Sequence, residues 1–252
     1  MTANTLALRP DPGGVVPRTA MVMAAGLGKR MRPLTATRPK PLVEVAGQPL
    51  IDHVFDRLRA AGVSRAVVNV HYMADALEAH LTVRAGDIDI VVSDERDRLL
   101  ETGGGLVRAR PVLGDDPILC INADSFWIDG PSDALRTLAA AWDGDRMDVL
   151  LLMVPFARAH GYRGRGDFHL DAMGRITHRR RAGRVAPFVY IGVQMLHPRI
   201  IVDAPDGPFS TNLFWQRAID AGRAWGLVHQ GLWFEIGEPA AIREAESILA
   251  HG

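Results

Sequence analysis

An alternation constrains this chain more than any other feature. Between residues 20 and 154, short apolar runs take turns with amphipathic stretches. The runs at 20–25 (AMVMAA), 66–70, 88–92, 118–121 and 148–154 read as buried strands. Residues 49–61, 74–81, 104–109 and 132–142 read as helices. In the first helix Leu50, Val54, Phe55 and Leu58 share one face, and Gly62 follows as a stop. A helix between two strands carries the chain back across the sheet, so the next strand starts parallel to the last. The expected class is therefore α/β: a Rossmann-like, mostly parallel sheet with helices on both faces.

The rhythm changes after Pro155. Residues 167–170 and 175–178 flank Asp171-Ala172-Met173-Gly174 and read as an inserted β-hairpin layer. Residues 188–196 read as a strand, 213–221 as a helix, 232–236 as a strand and 239–249 as a closing helix with Pro239 in its first turn. No linker or repeat interrupts the pattern, so residues 19–252 are expected to form a single domain. Residues 1–18 hold three prolines and lack the apolar core of a signal peptide, so a loosely ordered tail is expected there.

Charge and cysteine content narrow the function. The chain carries 29 basic and 29 acidic residues, for a net charge of zero. That leaves no overall field to draw in nucleic acid or an anionic membrane. No stretch approaches the roughly 18 consecutive apolar residues of a membrane span. The one cysteine, Cys120, sits in an apolar run and reads as a packed thiol. The expectation is a cytoplasmic protein that binds neither nucleic acid nor membrane, as a monomer or a homo-oligomer. Of the basic residues, 27 are Arg and two are Lys, Lys29 and Lys40. Where Arg is the default cation, a Lys raises the question of whether a compact ammonium is needed.

Behind the first strand comes Ala24-Ala25-Gly26-Leu27-Gly28-Lys29-Arg30-Met31. Glycines let a backbone approach a phosphate, and successive N–H groups form an anion-binding hollow. Met31 stands where a dinucleotide fingerprint needs a third glycine, and Met23 and Arg30 break a Walker loop. By itself the loop suits a tight turn as well as a phosphate. Next comes Arg38-Pro39-Lys40-Pro41-Leu42, where two prolines stiffen the backbone around a lysine and suit it to meeting a phosphate.

Together, AAGLGKRMRPLT and RPKPLVEVAGQPLI resemble the signature of the sugar-1-phosphate nucleotidyltransferases. The resemblance continues through LETGGGL (100–106), INAD (121–124) and LWFEIGEP (232–239), so it covers residues 20–249. Within the family, ETGGG, GRGDF (164–168) and the short chain look most like the N-acetylmuramate 1-phosphate uridylyltransferases of bacterial cell-wall recycling. The competing branch is the mannose-1-phosphate or heptose-1-phosphate guanylyltransferases. An alternative of another class is a non-catalytic sugar-nucleotide-binding regulatory protein.

The resemblance implies a GT-A-like fold and a Mg²⁺-dependent reaction. A sugar 1-phosphate attacks the α-phosphorus of a nucleoside triphosphate, UTP being favoured, and pyrophosphate leaves. Attacker, target and leaving group are all anionic, so the chemistry needs neutralisation and alignment more than an acid–base pair. The resemblance implies that Ala24, Ala25, Gly26 and Gly28 hold the triphosphate, with Arg30 beside them as a clamp. It puts Lys40 between the reacting phosphates and gives Lys29 no role. Asp124 is the implied metal ligand. The second carboxylate belongs to a Trp-x-Asp-x-Gly motif, which here reads Trp233-Phe234-Glu235-Ile236-Gly237. The extra methylene moves the carboxylate by about 1.5 Å. Glu235 is expected to reach the metal directly after a small shift, or through water.

For the base, the resemblance implies Thr102 and Gly103, and Thr102 also suits a helix cap. For the sugar it implies Gly166, Asp167 and Gly192. A Glu-Lys-Pro motif common in hexose-specific members is missing from residues 176–181. That departure weakens a glucose or thymidylyl assignment and is compatible with a muramate, whose lactyl carboxylate wants a cation. Residues 158–184 hold eight arginines and two aspartates. A solvated hairpin face is the favoured reading of that excess, ahead of attraction of an anionic sugar phosphate.

Overall fold

Along the first strand, β1 (Thr19–Met23), Ala20 and Val22 are buried on one face and Met21 on the other, the signature of a strand covered on both sides. The computed structural model describes residues 12–84, 86 and 88–251. After β1 come β2 (Glu44–Val45), β3 (Gln48–Pro49), α1 (Leu50–Ala61), β4 (Arg65–Val70), α2 (Ala74–Arg84), β5 (Asp89–Asp94), α3 (Glu101–Leu113), β6 (Ile118–Asn122), β7 (Ser125–Ile128), α4 (Ala134–Ala141) and β8 (Val149–Pro155). The rest is β9 (Ala159–His160), β10 (Phe168–Leu170), β11 (Ile176–Arg179), β12 (Phe188–Leu196), α5 (Asn212–Asp220), β13 (Ala224–Val228), β14 (Leu232–Glu235) and α6 (Pro239–His251).

The fold is the mixed α/β sheet that the alternation predicts. β6, β1, β4 and β5 lie side by side and parallel. β12 runs antiparallel between β6 and β8, and β13 adds a parallel strand beyond β8. The hairpin β10–β11 joins the same sheet through Phe168 opposite Phe188. One face is packed by α1, α2 and α4 through Phe55, Leu58, Leu77, Leu81, Leu135 and Leu138. The other is packed by α3 and α5 through Leu106, Leu113, Phe214 and Trp215. The 3.6-residue spacing of the apolar positions in α1 puts Val54, Phe55 and Leu58 on the sheet, while Leu50 packs with Phe126 and Phe234 of the second sheet, and Gly62 ends the helix at φ 91°.

A second sheet of three strands, β7–β14–β9, stands beside the first under α6. β7, β9 and β13 are not among the sequence expectations. β7 and β13 are short and follow directly on a turn, which leaves little period to read. Two expectations need correcting. The helix expected at 104–109 runs over Glu101–Leu113, because three glycines that weaken helix propensity are buried against neighbouring segments. Of the expected tail, residues 1–11 lie outside the described residues. From 14 to 17 the chain is not loose: Gly14 lies against the end of α4, Val16 packs on the core and Pro17 is buried. Among the described residues, no helix is long and apolar enough to cross a membrane.

Candidate active site

The four parallel strands β6, β1, β4 and β5 end at one edge, and their following loops face each other there. Open α/β sheets bind ligands at that carboxyl edge. After β1, Ala24 turns inward: it is buried, and its N–H donates to Asn69 Oδ1 at 2.7 Å. Ala24 therefore anchors the loop, Ala25 is buried beside it, and the first exposed position is Gly26. Ala25 and Gly26 line a cavity of about 410 Å³ together with Thr102 and Asn122. A side chain at Gly26 would meet open space, so its backbone faces the cavity bare. Gly28 has φ 59°, and Thr35 Oγ1 donates to its carbonyl at 2.9 Å. A side chain there would press on Thr35 and on Lys40 Cβ at about 3.0 Å, which ties the glycine loop to the proline-flanked lysine.

Across the cleft, α3 behaves differently from its motif reading. Thr102 lines the 410 Å³ cavity, but its hydroxyl accepts from Thr211 N–H at 2.9 Å and caps nothing. The N–H of Gly103 donates to Phe209 O at 2.7 Å, so it is not available to a base edge. Gly103 is needed because a Cβ would sit 2.4 Å from the Phe209 ring. Of the two residues expected at the base, Thr102 lines the cavity and Gly103 has its N–H bonded to Phe209 O. The residue that joins the two walls is Glu95, fully buried. It accepts from Asn69 Nδ2 at 2.8 Å and from Leu100 N–H at 3.1 Å. Burial raises its pKa against these two donors. The signal in the sequence was a polar Asn inside the apolar run of β4.

The charged centre is built by strand register. β14 lies antiparallel to β7 with Glu235 opposite Ser125, the residue after Asp124. Two carboxylates far apart in the chain thus line one cavity of about 210 Å³, together with Arg30, Lys40, Tyr162 and Gly192. Lys40 Nζ donates to Asp124 Oδ2 in a partly buried ion pair. Arg30 Nη1 lies 3.6 Å from Glu235 Oε1, with its side chain 76% exposed. An ion pair that long and that wet is weak, so Arg30 is free to turn to another anion. Burial raises the Glu235 pKa, the cations Arg30 and Lys40 oppose this, and Asp124 adds to it. Lys29 is exposed.

The sugar-side residues separate. Gly192, at φ 82°, lines the 210 Å³ cavity where β12 slips register between Tyr190 and Gln194. Its missing side chain makes room for Ser125 Oγ, which donates to Ile191 O at 2.9 Å. Gly166 lines none of these cavities. It is a glycine because Ala186 O would lie 2.0 Å from a Cβ, so space for a sugar is not its purpose. Asp167 Oδ2 accepts from Tyr190 N–H at 3.0 Å and Oδ1 faces Tyr162 Oη at 3.4 Å. It lines a third cavity, of about 230 Å³, with Arg179, Arg180 and Asn212. Tyr162, Glu95 and Asn212 carry no local signal in the sequence; Asn69 is marked there only as a polar residue inside an apolar run, and Arg179 and Arg180 only as members of an arginine-rich stretch.

A cavity of about 900 Å³ lies at the opposite, amino-terminal edge of the sheet, between residues 15–19 and the turn after α3. Size is not chemistry: its Arg65 is paired with Asp89, and its Asp115 with Arg110. The cavities at the carboxyl edge hold the convergent charges.

Comparison with known proteins agrees with this geometry. The nucleotidyl transferase family matches residues 19–177. The chain is 50% identical to the N-acetylmuramate alpha-1-phosphate uridylyltransferase of Caulobacter vibrioides over 93% of this chain and 98% of that protein. It is 31% identical to the protein of the same name from Neisseria meningitidis serogroup B, over 91% and 97%. In fold it is similar to a putative glucose-1-phosphate thymidylyltransferase from Bacillus anthracis, with a TM-score of 0.78 at 14% identity, over 91% and 94% of the two chains. A family match across more than half the chain, and 50% identity along nearly all of it, settle the membership: the chain belongs to the nucleotidyl transferase family.

Proposed function

We propose that this protein transfers the uridylyl group of UTP to N-acetylmuramate 1-phosphate, releasing pyrophosphate and forming UDP-N-acetylmuramate in the cytoplasm during cell-wall recycling. One observation carries the reading: Arg30, Lys40, Asp124 and Glu235 line a single cavity at the carboxyl edge of the sheet. Two cations and two carboxylates with no nucleophile–base pair are what a displacement between phosphates requires. The long identity to uridylyltransferases supports the choice of base and sugar.

In this reading Ala25, Gly26 and Gly28 give the triphosphate a bare backbone to lie against, and Arg30 swings from Glu235 to a phosphate oxygen. Lys40 leaves Asp124 and neutralises the phosphates between which the new bond forms. The sugar-phosphate oxygen attacks the α-phosphorus, and the bond to the pyrophosphate oxygen breaks in line. Asp124 and Glu235 would hold Mg²⁺. The donor set fits, being all oxygen and only two carboxylates, with the remaining ligands left to phosphates and water. Among the described residues no group of three or more His, Cys, Asp or Glu forms a fuller cage. Bound there, the ion supplies further charge neutralisation.

The test is pyrophosphate release over UTP, GTP, CTP and dTTP, each against muramic, glucosamine, mannose and heptose 1-phosphates. UTP with N-acetylmuramate 1-phosphate is expected to give the highest kcat/KM. A maximum for GTP with mannose or heptose 1-phosphate would move the protein to the guanylyl branch. No turnover with any pair would make it a binding protein.

A further inference from the structure

The 230 Å³ cavity beside the charged centre has no role in the transfer itself. It is floored by Phe168 and Trp215, whose rings meet edge to face at 5.6 Å. Its polar lining is Arg179, Arg180, Asn212 and Asp167. Tyr190 is a wall of both this cavity and the 210 Å³ one. Tyr162 of the charged centre also reaches Asp167 through its hydroxyl. The two spaces are therefore neighbours across one aromatic wall.

The unused donors here are the informative feature. Among the described residues, no hydrogen bond or ion pair occupies the Arg179 guanidinium or the Asn212 side-chain amide. Arg180 spends only Nε, on Gly166 O at 3.1 Å. The Tyr190 hydroxyl oxygen is buried and has no partner. Against these donors stands one carboxylate, Asp167, whose two oxygens already face Tyr190 N–H and the Tyr162 hydroxyl. Two guanidiniums and one carboxylate leave a surplus of one positive charge. A solvated hairpin face accounts for the exposed Arg181 and Arg184. It does not account for the half-buried Arg179, which with the exposed Arg180 lines an aromatic-floored cavity next to the chemistry.

We propose that this cavity is the subsite for a carboxylate borne by the sugar 1-phosphate, with Arg179 as its principal cation, Arg180 beside it, and Asn212 and Tyr190 as neutral partners. The proposal rests on the uridylyltransferase reading, because N-acetylmuramate carries such a carboxylate on its lactyl ether. A planar fork with no competing acceptor is the group that recognises a carboxylate through two parallel hydrogen bonds. The single surplus charge matches the single charge of the lactyl group. The subsite would select against the otherwise identical sugar that lacks the ether, because the half-buried Arg179 and Asn212 and the buried Tyr190 hydroxyl would be left unpaired.

The experiment compares UTP-dependent turnover of N-acetylmuramate 1-phosphate with that of its lactyl amide and of N-acetylglucosamine 1-phosphate, in the wild type and in Arg179→Met and Arg179→Lys. The wild type is expected to prefer the acid over the amide by roughly tenfold or more in kcat/KM, expressed in KM. Arg179→Met is expected to bring that ratio close to one, and Arg179→Lys to restore part of it. Equal use of acid and amide by the wild type, or an unchanged ratio in Arg179→Met, overturns the subsite and leaves the uridylyltransferase reading standing. If the wild type uses another sugar phosphate and no muramate, both fall.

Discussion

Lys40 shows how much a single residue can carry. It was legible in the sequence because prolines on both sides hold it and because Arg is otherwise the cation of choice here. The structure adds its partner: its ammonium rests on Asp124 with the side chain only 14% exposed. A guanidinium in that space is wider, flatter and cannot sit between two phosphates as a point charge. Lys40→Arg is expected to fold with an unchanged melting temperature and to lose about a hundredfold or more in kcat, which corresponds to roughly 2.7 kcal/mol of transition-state stabilisation. Steady-state kinetics beside a thermal melt check this, and near-normal turnover would refute the need for lysine. Lys29 lies exposed on the same loop. Twelve residues of sequence thus hold one half-buried, ion-paired lysine and one exposed one, a difference that only the fold reveals. Glu235 is the reverse case. Its motif departs from the usual Asp, yet its carboxylate lines the same cavity as Asp124.

At the scale of elements, the site depends on two backbone devices. One is the register of β14 on β7, which sets Glu235 opposite Ser125. The other is the slip in β12, where Gly192 at φ 82° leaves room for Ser125 Oγ. A methyl group at Gly192 would lie 2.0 Å from that oxygen and would also be held in the left-handed region. Gly192→Ala is expected to destabilise the fold by roughly 2–4 kcal/mol, combining backbone strain with overpacking. Chemical denaturation measures it, and a loss below about 0.5 kcal/mol would show that β12 relaxes freely. The helix α3 teaches the same lesson about motifs. Its ETGGG string was legible as a functional signature, but three consecutive glycines serve close packing: Gly103 on Phe209, Gly104 on Gly207 and Gly105 on Glu95 and Asn69. Close approach between segments a hundred residues apart leaves no local trace except the glycine itself.

The whole molecule arranges one sheet so that its carboxyl edge is charged and its interior is inert. Cys120 lies in the interior on β6, fully buried, and burial pushes its thiol up to about 12. The folded protein is therefore expected to resist an aromatic disulfide reagent at pH 8 for hours, while the unfolded chain reacts at once. Rapid modification with the fold intact would contradict that placement. Because the cleft draws on the β1 loop, β6 and α3 together, ligands should stabilise the entire fold. UTP with Mg²⁺ at about a hundred times its Kd is expected to add roughly 2.7 kcal/mol, a rise in Tm of about 5–10 °C. Asp124→Ala should lose the Mg²⁺-dependent part of that shift and all metal-dependent turnover. A full shift in the variant would remove Asp124 from the metal site. The sequence by itself determined most of the elements, the α/β class, the glycine loop and the motifs that carry Lys40 and Asp124, because period, propensity and short motifs are local properties of a chain. The tertiary structure alone decided that β12 runs antiparallel into the sheet, that Glu235 lines one cavity with Asp124, that Gly103 is spent on Phe209, and that Arg179 faces a cavity. Those outcomes depend on which distant segments bury each other's surfaces, a property of the folded whole that no window of sequence contains.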